Sequence, residues 1–165
     1  MSAPDTVPDT ADGVRRRNAD LDDELRSLIA RIPADRLRVE PPDGEWNLAH
    51  SLAHISEFPH FFAAELRRWF ANRDAPVGRT TEHEARLRAI ESADHRNLDE
   101  LRISCQNAFS DLAEALDQVQ DADLQATTHN RKWGEEPLTA FLQRYVLGHK
   151  AEHIEQLRRT LDQLR

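Results

Sequence analysis

Four of the eight histidines fall into two pairs at the spacing that one helical turn brings together. In LGHKAEHIEQLR, residues 147–158, His149 and His153 stand four positions apart. At about 100° per residue their rings lie roughly 40° apart and project from one side of a helix. That side is apolar. Leu138, Leu142, Tyr145, Val146, Leu157 and Leu164 fall within about 80° of His149, so the pair sits in the stripe that should be buried. Two neutral imidazoles so placed can hold one zinc, nickel, copper or iron ion. The alternative is that one ring packs with a hydrogen bond while the other reaches solvent. Upstream, EWNLAHSLAHISEF offers His50 and His54 at the same spacing, beside Phe58 and Phe61. Both segments aim imidazoles at the core.

Two rival chemistries use similar letters. HKAEH matches the H-x-x-E-H of inverted zinc proteases, in which Glu152 would be the general base. Those enzymes complete the site with a carboxylate well downstream, and only 12 residues follow His153. A di-iron bundle needs paired E-x-x-H motifs. This chain has one, Glu57 to His60, which contains Pro59 and has no counterpart in the last helical segment. No phosphate loop, nucleophile elbow or C-x-x-C pair occurs, so nucleotide hydrolysis, serine-esterase chemistry and dithiol exchange have no foothold. Cys105, the single cysteine, falls on an apolar stripe with no basic neighbour in sequence and reads as a buried, inert thiol.

The elements that position these residues read as four long helices. Val14, Leu21, Leu25, Leu28, Ile29 and Ile32 carry a helical period that ends before Pro33. A second run extends from Trp46-Asn47 to about Asn72. A third shows Leu98, Leu101, Cys105, Ala108, Leu112, Ala115, Leu116 and Val119, and a fourth starts at Pro137, a favourable first-turn residue, and reaches almost to the C-terminus. Pro59 removes one hydrogen bond from the second helix and should bend it near Ile55. In the link 73–92, Thr81 with Glu84 resembles a capping box and marks a short helix. Trp46, Trp69 and Trp133 are expected as core or end-cap aromatics. Residues 1–12 are polar and proline-containing, an expected disordered tail, and 13–165 form one domain. The expected class is all-α, a four-helix bundle, with connections after the second and third helices long enough for a crossover.

The net charge is −8, with 22 basic against 30 acidic residues. Such a surface repels phosphate, so no nucleic acid and no membrane are expected as partners. Arg15-Arg16-Arg17, Arg67-Arg68 and Arg158-Arg159 read as helix-surface arginines. No run of 18 apolar residues exists and MSAPDTVPDT lacks the features of a signal peptide, so a cytoplasmic protein is expected. Lone Cys105 fits a reducing compartment. Arginine outnumbers lysine so heavily that Lys132 and Lys150 are the only lysines, a bias of GC-rich bacterial genomes.

Residues 36–161 resemble the DinB/YfiT-like superfamily of bacterial four-helix proteins. The likeness is carried by Trp46-Asn47 with a histidine eight residues after the tryptophan, and by LGHKAEHIEQ, an H-x-x-x-H-x-x-Q pattern. GEEPLTAFL and VGRTTEHEARLRAIES also look like actinobacterial members. This chain has Asn47 where many relatives have Ser, and Glu152-His153 where they have His-His. The resemblance implies a bundle with a long crossover and one divalent metal, zinc or nickel, held by His54, His149 and His153. Three protein ligands would leave a coordination position open, as in catalytic sites. Some members look like S-transferases for low-molecular-weight thiols, and a related domain occurs in mycothiol-dependent maleylpyruvate isomerase. The implied activity is therefore transfer of a mycothiol-like thiol to a small-molecule electrophile. A non-catalytic metal- or ligand-binding module, or a metal-dependent hydrolase using no thiol, stays open beside it. Glu57, one turn after His54, is a candidate to orient a ligand imidazole or to act as the catalytic base, with a solvated or salt-bridged carboxylate as the alternative. Gln156 and Tyr145 are pocket candidates, and His50 has no family role and reads as a packed histidine. A homodimer is common among such folds.

Overall fold

Local capping decides where each helix begins in the computed structural model, which describes residues 6–165. Helix α1 (Ala11–Ala30) starts where the Thr10 side chain accepts the Gly13 N–H. It therefore begins two residues inside the segment expected as a tail, and residues 1–5 of that tail lie outside the described residues. Helix α2 (Leu48–Ala71) is capped by Asn47, whose side chain accepts the His50 N–H at 2.9 Å. It runs unbroken through Pro59. The expected Thr81 cap does not form. His83 takes its place, its ring Nδ1 accepting the Ala85 N–H, and α3 (Glu84–Ser92) follows. Helix α4 (Leu98–Leu116) opens with a reciprocal Asn97–Glu100 capping box.

The last helical stretch is not one α-helix. It comprises α5 (Leu138–Leu142), a π-helical turn over Gln143–Leu147, and α6 (Gly148–Gln163). Pro137 precedes the first turn and does not occupy it. In the π turn the Gly148 N–H reaches back to the Gln143 carbonyl. A Cβ at Gly148 would stand 2.5 Å from that oxygen, so only glycine admits the turn.

Helices α1, α2, α4 and α6 form the bundle, with α2 along α4 and α1 against α4 and α6. Leu21, Leu25, Leu52, Ile55, Phe58, Leu101, Phe109 and Leu157 fill its interior. An element absent from the sequence reading joins the two long links. Strand β1 (Pro76–Val77) pairs in parallel with β2 (Thr127–Asn130), which pairs antiparallel with β3 (Gly134–Pro137). The bundle is thus mainly helical with a three-stranded patch at one flank. Buried Glu65 of α2 fastens that patch, accepting the Gly78 N–H at 2.6 Å and hydrogen bonds from Arg131 and Arg68. Gly78 has φ +90°, and its missing Cβ makes room for Asn130 and the Tyr145 hydroxyl.

Trp69 is buried and Trp46 half-buried, whereas Trp133 is 55 % exposed at the hairpin turn, flanked by Lys132 and Arg144. The core or end-cap expectation for Trp133 is corrected accordingly: it sits at the tip of the β2–β3 hairpin, beyond the core. Cys105 is buried and its thiol donates to the Leu52 carbonyl. Burial pushes that thiol up to about 12. Among the described residues no helix is long and apolar enough to cross a membrane.

Candidate metal centre

Helices α2 and α6 bring three of the sequence-selected histidines together. His54 Nε2 lies 3.1 Å from His149 Nε2, and His153 Nε2 lies 3.3 Å from the same atom. One ligand nitrogen from each of the three rings falls within 4.8 Å of the others, close enough to share one cation. The rings are held by aromatic contacts. Phe58 meets the His149 ring edgewise at 4.4 Å and stacks on His153, and Trp46 meets His54 at 5.6 Å. Trp46 stands eight residues before His54, just ahead of the α2 cap, so the start of the helix and the placement of the ligand are one local feature.

Electrostatics keep these rings unprotonated. Burial holds His149 down to about 3 and His153 to about 4, and it lowers His54 further still. The neighbouring imidazoles push His54 and His149 in the same direction, and the positive charge of Arg86 acts on all three rings. Neutral imidazole is the metal-binding form.

The far nitrogens differ in their partners. His153 Nδ1 lies 3.0 Å from Gln156 Oε1, an oxygen that only accepts, so the proton sits on Nδ1 and Nε2 offers a lone pair to the centre. His149 Nδ1 has Glu152 Oε2 at 3.7 Å, and His54 Nδ1 has Glu57 Oε2 at 3.9 Å. His54 Nδ1 is buried with no hydrogen-bond partner. Only the His153 ring is thus oriented by a hydrogen bond on its far nitrogen; Glu152 and Glu57 stand three residues beyond His149 and His54 but outside hydrogen-bond distance of them. One shared proton satisfies only one of the two short Nε2 contacts well, whereas a cation accepts all three lone pairs. A donor set of three imidazole nitrogens suits a first-row divalent ion such as zinc, nickel, copper or iron.

The centre opens into a cavity of about 410 Å³ lined also by Phe62, Tyr145, Gln156, Glu45, Glu152, Thr80, Thr81 and four arginines, Arg79, Arg86, Arg144 and Arg159. Tyr145 stacks on Phe62 and its hydroxyl accepts from Asn130 Nδ2 at 3.0 Å, leaving the phenolic proton to donate elsewhere. Arg79 is gripped by Glu57 through two 2.6 Å bonds, and Arg144 is forked on Glu136. Arg86 donates to the Thr81 carbonyl and sits over the Trp46 ring.

Among the sequence-selected residues, Gln156 and Tyr145 line this cavity. Glu57 does not line it. Both carboxylate oxygens engage Arg79, and the residue borders a separate cavity with Ser56 and His60. This geometry favours the salt-bridged alternative over a general base. His50 is apart from the centre, with its Nε2 3.3 Å from Asp94 Oδ1. His60 is held by Asp111 at 2.7 Å. Sequence reasoning missed the arginines. Arg79 comes from the link after α2, Arg86 from α3, Arg144 from the π turn and Arg159 from α6, and no local spacing joins them.

A profile of the DinB superfamily matches residues 19–157. No curated protein sequence matches the chain. Among solved structures, an uncharacterised protein from Clostridium difficile 630 superimposes with a TM-score of 0.72 at 10 % identity, over 98 % of each chain. Mycothiol-dependent maleylpyruvate isomerase gives a TM-score of 0.68 at 14 % identity, covering 93 % of this chain and 60 % of the isomerase. The colibactin self-resistance protein ClbS, crystallised in complex with double-stranded DNA, gives 0.72 at 10 % identity, over 94 % of this chain and 98 % of ClbS. These likenesses concern the fold. The ClbS complex overturns the exclusion of nucleic acid drawn above from net charge, since a protein of this fold is found on DNA. The physical reason is that a summed charge does not say how charges are distributed, and a chain of net charge −8 still places Arg86 and Arg159 on one cavity.

Proposed function

The chain belongs to the DinB superfamily, and from that premise we propose that it is a metal-dependent enzyme transferring a mycothiol-like thiol to a small electrophile. His54, His149 and His153 are the ligands, and zinc or nickel is the ion. The observation that carries the proposal is the convergence of the three Nε2 atoms at the floor of an open cavity. When bound there, the ion lowers the pKa of a coordinated thiol and so supplies thiolate near neutral pH.

The chain's own side chains do the rest. Phe58 and Trp46 dry one side of the centre, and Gln156 fixes the orientation of His153. The Tyr145 hydroxyl, anchored by Asn130, donates a hydrogen bond to a polar group of the bound molecule. Arg79 and Arg144 are neutralised by their carboxylates, whereas among the described residues no carboxylate lies within ion-pair distance of Arg86 or Arg159. These two cations suit an acidic group on the thiol or the electrophile. The choice of a thiol is supported by the shared fold with mycothiol-dependent maleylpyruvate isomerase. The isomerisation itself is not carried over.

The test is turnover by untagged, zinc- or nickel-loaded protein of a panel of electrophiles, with and without mycothiol and other low-molecular-weight thiols. Activity that requires both thiol and metal, and that is lost in His54→Ala and His153→Ala, is the expected result. Bound metal without turnover would identify a binding module instead. Ester or amide cleavage with no thiol would identify a hydrolase, and a wild type that takes up no metal would end the proposal.

A further inference from the structure

Lys150 follows His149 directly in a chain that uses arginine almost everywhere else, and it is 0 % exposed. Its Nζ donates to Asn18 Oδ1 at 2.7 Å and to the Asp22 carboxylate, both on α1. The Asn18 amide donates to the other Asp22 oxygen at 3.3 Å, and the Phe109 ring of α4 lies 5.3 Å from Nζ. Asn18 and Asp22 are each 2 % exposed. A compact ammonium with three donors fits this closed space, whereas a planar guanidinium needs a longer, wider slot.

We propose that the Lys150–Asp22–Asn18 triad is a positioning device for the metal centre, setting the rotation of α6 and hence where His149 and His153 meet His54. This inference rests on the metal-site proposal above. Lys150 is not part of the cavity wall, so it acts through the helix and not on a bound molecule. The apolar contacts of α6, made by Ile154, Leu157 and Leu161, are non-directional and tolerate small rotations. The turn before α6 is π-helical, so the upstream helix does not impose an ordinary α register. On α6, Lys150 is about 100° round from His149, so the triad grips α1 while the ligands face α2. A rigid, hydrogen-bonded grip on one face is what holds two nitrogens in place on the other. Buried ion pairs of this kind commonly give no more stability than well-packed apolar replacements, so the expected contribution is geometric.

The experiment compares wild type with the triple variant Asn18→Leu, Asp22→Leu, Lys150→Met, which leaves no orphaned charge. Cobalt(II) and zinc affinities are measured by competition with a chromophoric chelator. The cobalt d–d spectrum and the thermal midpoint of the metal-free protein are recorded alongside. The expected result is a midpoint equal to or above wild type, a cation dissociation constant raised about tenfold or more, and a changed cobalt spectrum. Unchanged affinity and spectrum would overturn the proposal. Should the triple variant not fold, Asn18→Leu alone, which removes one arm of the grip, decides the matter: a dissociation constant raised a few-fold supports it and an unaltered one overturns it. Failure of wild type itself to bind either cation would be a failure of the metal-site proposal, seen separately from the ratio of variant to wild type, and would take this inference with it.

Discussion

Replacing Gly148 by alanine sets two physical effects against each other with opposite signs. Alanine in place of glycine inside a helix is worth about 1 kcal/mol of stabilisation from propensity alone. Against this, the new Cβ would stand 2.5 Å from the Gln143 carbonyl oxygen and 2.8 Å from the Gln143 side-chain nitrogen. The side chain can swing away, but the carbonyl is backbone, and it accepts the Gly148 N–H that closes the π turn. Relieving the overlap costs about 1–3 kcal/mol of overpacking. Losing the N–H to carbonyl bond adds about 1 kcal/mol. The net expectation is a destabilisation of roughly 1–3 kcal/mol. In a domain of this size that lowers the melting midpoint by about 3–10 °C. Rewinding the turn to an α-helix is no escape, because it would rotate Tyr145 away from Asn130 and Phe62. Urea denaturation of metal-free wild type and Gly148→Ala at pH 7.5 measures the difference directly. A variant more stable than wild type by about 1 kcal/mol would show that the π turn is dispensable and that this account of how His149 is placed is mistaken.

Three other perturbations follow from the structure. Gly78→Ala, at φ +90° and with its Cβ 2.6 Å from Asn130 Nδ2 and the Tyr145 hydroxyl, should lose about 2 kcal/mol or more in the same assay. The metal-free protein should weaken as pH falls from 7 to 5. His149 and His153 are held at about 3 and about 4 when folded and return to about 6.5 when unfolded. The unfolded chain therefore binds more protons in that window. Stability is full above about 6.5 and is lost below it, by up to about 2 kcal/mol per ring at pH 5, and a flat profile from urea titrations at the two pH values would contradict this. Cys105, with its thiol pushed up to about 12, should resist iodoacetamide at pH 8 in the folded protein and react in urea, with mass spectrometry as the readout.

The parts legible in the sequence are those that depend on local period and spacing. The apolar stripes of α1, α2 and α4 predicted their faces, and the i, i+4 pair on α6 predicted two rings on one side, because both follow from the helical repeat. Glu57 and Gln156 are legible as well, one turn after His54 and His153, although only Gln156 is hydrogen-bonded to its ring and Glu57 is taken by Arg79. Other features were hidden because they depend on tertiary contact. Strands of two to four residues are too short to show an alternation, so the flank built from Pro76–Val77, Thr127–Asn130 and Gly134–Pro137 gave no signal. Thr81 lost the α3 cap to His83, whose ring stands edge-on against Phe61. The burial of Lys150 depends on Asn18 and Asp22, more than 120 residues earlier, and no local pattern marks it. The π turn is marked only by Gly148, a residue with several other uses.

Elemental analysis of the untagged protein, purified without chelator and repeated for His54→Ala, His149→Ala and His153→Ala, bears most directly on the proposed centre. Close to one equivalent of zinc or nickel in wild type and little in each folded variant is the predicted outcome. Metal-free wild type that also takes up no zinc or nickel on titration, or variants that keep the wild-type content, would contradict it.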